Sequence, residues 1–275
     1  MVGDLLSERA AAYNPSNAVE QELVLAELLQ QMALSSLAKS KFFSKACFHG
    51  GTYLRIMHGL NRFSENLDFM LLDGAEEFSW QPYLDSLLVD LSEYGIEAEA
   101  ADRSKATSIG TILKVTLPFA RQKGRKIKIK LEIDTNPPEG SKFEIHYINF
   151  PTLVAINTQT LSSSFASKTH ALLCRKYTKS RDWYDFLWYV GRKIEPDLPL
   201  LENALRQVGP WAGKSIVVTG DWLFNALESK VKSIDWAVAR KDVERFILND
   251  ERPSIELWNE DLFFYHLKKM SDWAG

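Results

Sequence analysis

Apolar residues recur along this chain with two different periods, and the places where the period changes outline the fold. Leu25, Leu28, Leu29 and Met32 fall at helical spacing, and Asn17 followed by Glu20 reads as a capping box, so a helix is expected over residues 18–38. Phe42 to Phe48 reads as a strand ending at His49-Gly50-Gly51, and Thr52 to His58 as a short helix stopped by Gly59. From Asn66 to Leu72 the pattern alternates, with Leu67, Phe69 and Leu71 on one face and Asn66, Asp68 and Met70 on the other. A helix is expected from Gln81 to Tyr94, with Gly95 as its C-terminal stop. Ile96–Ala100, Ile109–Phe119 and Lys126–Asp134 read as strands, the last two joined by a basic turn containing Gly124.

After Asn136-Pro137-Pro138 the composition shifts. Strand signals fade beyond Ile148, and helical patterning runs from Pro151 to the end. The expected organisation is therefore α+β, with a mixed helix-and-strand domain over residues 1–150 and a helical domain over residues 151–275.

With 45% hydrophobic and 25% charged residues, the 275-residue chain can bury a real core. A net charge of −3 excludes a uniformly basic nucleic-acid coat. Local basic clusters remain, one at Arg121, Lys123, Arg125, Lys126, Lys128 and Lys130, the other at Lys168, Arg175, Lys176, Lys179 and Arg181. Cys47 and Cys174 lie far apart without CxxC spacing, so neither a disulfide framework nor a structural zinc site is expected. Met1 to Tyr13 carries Asp4, Glu8 and Arg9 and does not read as a signal peptide, and no apolar run approaches membrane-spanning length; a cytoplasmic protein with no membrane partner is expected. No coiled-coil pattern is present, which favours a monomer.

Four segments can carry chemistry. Gly50-Gly51-Thr52, between a strand and a helix, lets backbone approach a ligand and offers helix N-terminal amides to a triphosphate, although most such pairs are simply tight turns. In Arg62-Phe63-Ser64-Glu65-Asn66-Leu67-Asp68-Phe69, alternation sends Asn66 and Asp68 to one face, where two oxygen-bearing side chains can share a hard cation such as Mg²⁺; a half-exposed strand beginning with polar residues would look the same. In Lys126–Asp134 the residues Lys126, Lys128, Lys130, Glu132 and Asp134 share a face. A solvated outer strand would look the same, but Glu132 completes a metal site if this strand neighbours the one bearing Asp68, with Asp134 as the fallback. Finally, Lys168, Leu172 and Arg175 lie near one helical face, and Arg181, Asp182 and Asp185 open a second helix, a pattern that an exposed ion-paired surface also produces. His49, His58, His146, His170 and His266 form no HxxxH pair and no Ser–His–Asp set. His49 can touch a phosphate beside the glycines, and the others read as structural or surface residues. Trp183, Tyr184, Phe186, Leu187 and Trp188 read as core and domain-contact residues and not as base-stacking platforms. No Walker or GxGxxG motif occurs.

The order HGGTYLRIMHG, RFSENLDF, KIKIKLEID, SKTHALLCRKYTKSRDWYDF resembles the AbiEii nucleotidyltransferase toxins, which share a core with the polymerase-β-like nucleotidyltransferases. The likeness runs from about residue 45 to 190 and rests on GGTALR, R-x-S-x-D-x-D-F and K-x-x-A-L…R…R-D-x-x-D as the family's patterns. It implies a small mixed sheet followed by a helical C-terminal domain. It also implies transfer of a nucleotidyl group from an NTP to an acceptor, in related toxins the 3′ end of tRNA, which blocks translation. A separately encoded winged-helix antitoxin is the implied partner. Asn66, Asp68 and Glu132 would hold Mg²⁺; Gly50, Gly51, Thr52, Ser64, Lys168 and Arg175 would bind the nucleotide. Asp68, Glu132, Lys168 and Asp185 are the implied catalytic residues, with Asp182 assisting Asp185 and with Arg55 and Arg62 anchoring the carboxylate strand. The chain departs from the pattern at Asn66, where the family has an aspartate: an amide oxygen ligates a cation without adding charge. Glu65 or Asp134 would be the substitute carboxylates.

Two other readings fit the same residues. One is a nucleotide- or RNA-binding module that keeps the fold without catalysis. The other is a nucleotidyltransferase acting on a small hydroxylated molecule.

Overall fold

The computed structural model describes residues 2–74, 77–105, 108–116, 126–247 and 251–271. Its backbone divides into two compact units. The first comprises Met1–Gly59, Phe63–Pro137 and Phe143–Thr158; the second comprises Leu60–Arg62, Pro138–Lys142 and Gln159–Gly275.

The first unit opens with α1 (Val2–Ala11) and α2 (Ala18–Lys39). Asn17 caps α2 by accepting from the Val19 and Glu20 amides, each at 3.0 Å. Glu20 does reach back, but it accepts from the Ser16 amide at 2.7 Å and the Ser16 hydroxyl at 2.6 Å, one residue before the cap. The segment expected as one strand from Phe42 is a 3₁₀ turn (Phe42–Ser44) followed by β1 (Ala46–His49). Then come α3 (Gly50–His58), β2 (Asn66–Leu71), α4 (Gln81–Glu93), β3 (Glu97–Lys105), β4 (Ser108–Thr116), β5 (Lys126–Asp134), β6 (Phe143–Ile148) and β7 (Val154–Gln159). The basic turn through Arg121, Lys123, Gly124 and Arg125, and the end of the strand expected to reach Phe119, lie outside the described residues.

These strands form one mixed sheet in the order β3-β4-β5-β2-β1-β7-β6. β2 runs antiparallel to β1 and parallel to β5. β7 corrects the sequence reading, which has helical patterning from Pro151 onward. Its buried positions include Thr158 and Gln159, polar residues that a hydrophobicity pattern does not register as core. Along β5, Ile127, Ile129, Leu131 and Ile133 are buried and the intervening side chains are not. Their face of the sheet continues through Leu67, Phe69 and Leu71, and α2 packs on β5 while α4 packs on β3. Phe42 is the hub of this core, edge-on to Phe69 at 4.9 Å and stacked on Trp80 at 5.5 Å.

The second unit is helical: α5 (Leu161–Cys174), α6 (Ser180–Gly191), α7 (Leu198–Gln207), α8 (Gly220–Lys232), α9 (Trp236–Glu244), α10 (Arg252–Glu256) and α11 (Glu260–Ser271). Thr160, Asp197, Thr219 and Asp235 cap α5, α7, α8 and α9 through their side chains. Trp183 and Phe186 on α6 meet Trp236 and Phe263 in an aromatic core, where Trp236 stacks on Phe263 at 4.0 Å. Trp183, Phe186 and Trp188 are buried as expected; Tyr184 and Leu187 are half-buried.

Candidate active site

The polar face of the sheet in the first unit is assembled by register. His49 pairs with Asp68 across β1 and β2, and Asp68 pairs with Glu132 across the parallel strands β2 and β5. Direct partners on neighbouring strands project to the same face, so His49, Asp68 and Glu132 stand in one row. Asn66 lies on that face one pleat away, opposite Lys130. The condition set by the sequence, that the Glu132 strand should neighbour the Asp68 strand, is met in the backbone pairing. Asp68, Glu132 and Asn66 are all half-buried, which leaves them reachable from solvent.

Gly50 explains itself against this row. Its φ is +82°, and a Cβ placed there would sit 2.9 Å from Asp68 Oδ2. Glycine is required twice over, by the left-handed backbone and by the carboxylate pressed against it. The α3 helix starts at Gly50 itself, two residues earlier than expected, so the unpaired amides of its first turn open beside Asp68. The Thr52 side chain is fully buried and its hydroxyl donates to the Asn66 carbonyl, which ties α3 to the start of β2. Only the backbone of Thr52 is therefore available to a ligand. Ser64 is half-buried, and its carbonyl accepts from Gln30 Nε2 at 2.8 Å.

The donor set Asn66, Asp68 and Glu132 is all oxygen, which suits a hard divalent cation. Glu132 is already engaged by the Lys130 ammonium from its own strand. Asp134 accepts from the Asn136 amide at 2.9 Å and so closes a turn. Arg55 pairs with Glu27 at 2.7 Å and lies 4.3 Å from the Phe63 ring centre, which fixes α3 against α2 and the segment before β2.

The second unit holds a different arrangement of the same residue types. Arg62 grips Asp185 with two bonds of 2.6 Å, although 123 residues separate them in sequence. Lys168 Nζ lies 2.8 Å from both Asp182 Oδ1 and Asp185 Oδ2, and Arg175 pairs with the other oxygen of Asp182. Arg62, expected to support the carboxylate strand, thus anchors Asp185. Asp185, Asp182 and Arg62 are buried. Burial alone would lower the Lys168 ammonium, but Asp182 and Asp185 outweigh it and Arg62, and hold it above its ordinary value. Burial would raise the Asp182 carboxyl; the positive charges of Lys168, Arg175 and Lys179 override that and bring it from 3.8 to about 2. Lys179 is brought down to about 8 by burial, against the attraction of Asp182, and by repulsion from Lys168, Arg175 and Arg181.

Arg62, Lys168 and Arg175 thus close on the two carboxylates. Beside this network, Arg175, Lys176, Lys179, Asp182 and Lys230 line a cavity of about 300 Å³. Lys230 reaches it from α8, and nothing in the sequence links that residue to the cluster on α5 and α6.

The family model of the nucleotidyl transferase AbiEii toxins of type IV toxin–antitoxin systems matches residues 33–259. The chain belongs to the AbiEii family. Such a toxin implies a separate antitoxin as its partner. Among solved structures, JHP933 from Helicobacter pylori matches with a TM-score of 0.53 and 17% identity, over 92% of this chain and 91% of that one. A second H. pylori protein, described as a candidate nucleotidyltransferase, matches with a TM-score of 0.51 and 17% identity, over 90% of this chain and 92% of that one. At that identity the likeness carries the fold. No curated protein matches the chain. The α+β fold, a nucleotidyltransferase-like mixed sheet followed by a helical region, is as expected. Among the described residues no helix is long and apolar enough to cross a membrane.

Proposed function

We propose that this AbiEii protein transfers a nucleotidyl group from an NTP to the 3′ hydroxyl of an RNA, tRNA being the acceptor, and that it acts as a toxin by capping that end. In the reaction the acceptor oxygen forms a bond to the α-phosphorus while the bond from that phosphorus to the bridging oxygen of pyrophosphate breaks, and pyrophosphate leaves. The observation that carries the reading is the register pair Asp68–Glu132, with Gly50 packed against the Asp68 carboxylate.

Asn66, Asp68 and Glu132 would hold Mg²⁺, which when bound polarises phosphate oxygens and lowers the cost of bringing polyanions together. The amides of Gly50, Gly51 and Thr52 at the start of α3 donate to triphosphate oxygens, helped by the helix dipole. Ser64 adds a hydroxyl from the segment entering β2. Lys168 and Arg175 are assigned to phosphate charge, because their network borders a basic cavity that Arg175 helps to line. Asp182 and Asp185 act on Lys168 by holding it protonated and in place. A winged-helix antitoxin, a cytoplasmic setting and a monomeric state complete the reading.

One observation favours a second reading, a nucleotide-binding protein without turnover. Glu132 is occupied by Lys130, and Asn66 brings no charge, so among the described residues Asp68 is the one carboxylate of the metal site without an ion pair. Incubating the protein with Mg²⁺, total tRNA and each α-labelled NTP in turn separates the two. Label entering tRNA with one NTP supports transfer; NTP binding with no label from any of the four favours the second reading. Label passing to a small hydroxylated molecule and not to RNA would change the acceptor class.

A further inference from the structure

We propose that His58, Glu144 and His146 form a binding site for a transition-metal ion, Zn²⁺ by its donor chemistry, distinct from the oxygen site on β2 and β5. The three side chains each offer a ligand atom, and those atoms lie within 4.8 Å of one another. They come from two elements of the first unit. His58 is the last residue of α3, and Glu144 and His146 sit two residues apart on β6, which puts both on one face of that strand.

Two imidazoles and a carboxylate are a donor set that zinc accepts and that Mg²⁺, with its demand for oxygen ligands, does not favour. Bonds of about 2.0–2.1 Å to a tetrahedral ion would draw the donor atoms to about 3.4 Å apart, a closure that side-chain rotation supplies. Three protein ligands leave a fourth position for water.

The surroundings are those of oriented ligands. His58 Nε2 is 2.8 Å from the Tyr53 hydroxyl, and His146 Nδ1 is 2.9 Å from Thr158 Oγ1. The Thr158 hydroxyl donates to the Glu144 carbonyl at 3.3 Å. With the Thr158 proton given to the Glu144 carbonyl, the ring Nδ1 donates to the hydroxyl, and in that tautomer a neutral His146 carries its lone pair on Nε2. A hydrogen bond at the ring nitrogen that does not face the metal orients a ligating histidine and sets its tautomer, and here a hydroxyl is placed to make it. Tyr53 and Thr158 are fully buried, so this support is rigid, while Glu144 is exposed and gives an ion a way in. The His58 and His146 rings are 5.0 Å apart, and Tyr53 lies 4.9 Å and 6.1 Å from them.

The consequence is mechanical. An ion here ties the C-terminal end of α3 to β6, and α3 is the helix whose first turn begins with Gly50 and Gly51. The cysteines gave no reason to expect zinc, and the histidines are too far apart in sequence to read as a pair.

The test uses the full-length protein stripped of metal and titrated with Zn²⁺, followed by calorimetry and by metal content after dialysis. One equivalent is expected to bind, to raise the unfolding midpoint, and to be replaceable by Co²⁺ with the strong visible bands of a tetrahedral site. Glu144→Gln changes an exposed residue and keeps the fold; it is expected to weaken Zn²⁺ by at least about 10-fold, and His146→Ala by more. Asp68→Ala is expected to leave this binding unchanged. No Zn²⁺ bound by the wild type, equal binding in Glu144→Gln and His146→Ala, or loss in Asp68→Ala alone would each overturn the proposal. None of these outcomes depends on nucleotidyl transfer.

Discussion

The two acidic sites of this protein contain similar residues in opposite states. On the sheet, Asp68 and Glu132 are half-buried, aligned by strand register, and engaged by a single described ion pair, from Lys130. In the helical unit, Asp182 and Asp185 are buried, and Arg62, Lys168 and Arg175 close on them from three segments. The first arrangement leaves oxygen valences for a ligand. The second spends them within the protein. A carboxylate's role therefore depends less on its sequence neighbourhood than on whether the fold has already supplied its partners.

Substitutions sharpen this contrast. The largest stability effect is expected in the helical unit: Arg62→Ala leaves the Asp185 carboxylate buried and short of its main partner, and should cost about 3–5 kcal/mol in urea unfolding. Asp68→Ala, at a half-exposed position, should change stability by less than about 1 kcal/mol. If the two cost the same, the contrast is wrong. Gly50→Ala comes next. Its Cβ meets Asp68 Oδ2 at 2.9 Å with φ at +82°, so a penalty of about 1–3 kcal/mol is expected, with Mg²⁺-dependent nucleotide binding reduced as the carboxylate is displaced.

Acid should act on the helical unit through Asp182. Its carboxyl sits at about 2 against an ordinary 3.8, so the folded state holds the charged form more tightly than the unfolded chain does. That stabilisation is complete above the ordinary value and is lost as pH falls through 3.8 toward 2. It is worth about 2 kcal/mol. Urea midpoints measured from pH 5 down to 2 should fall, and the fall should be shallower in Asp182→Asn. The smallest effect concerns the sheet site. Lys130→Ala frees Glu132 and should tighten Mg²⁺ by a few-fold at little cost to stability, as expected for a part-exposed ion pair. Weaker Mg²⁺ binding in that variant would mean that Lys130 positions Glu132 instead of competing for it.

Much of this was legible in the sequence where local pattern decides structure. The alternation of Lys126–Asp134 is matched by its strand to the residue, and Asn17 caps α2 as its position suggests. The Asp68–Glu132 pairing was readable only as a condition, because strand order depends on contacts between segments far apart in the chain. The Arg62–Asp185 pair is unreadable for the same reason: its members are 123 residues apart, and the sequence neighbours of Arg62 point toward the carboxylate strand. β7 was missed because its core positions include Thr158 and Gln159, which earn burial through hydrogen bonds and not through apolar surface.

The most direct test that the open pair on the sheet carries the chemistry is label transfer from α-labelled NTP to tRNA by wild type and Asp68→Ala, with the unfolding midpoint of each sample measured alongside. The account predicts an unchanged midpoint for Asp68→Ala and transfer reduced by more than about 100-fold, or roughly 2.7 kcal/mol of transition-state stabilisation. Full transfer by Asp68→Ala at an unchanged midpoint would contradict it.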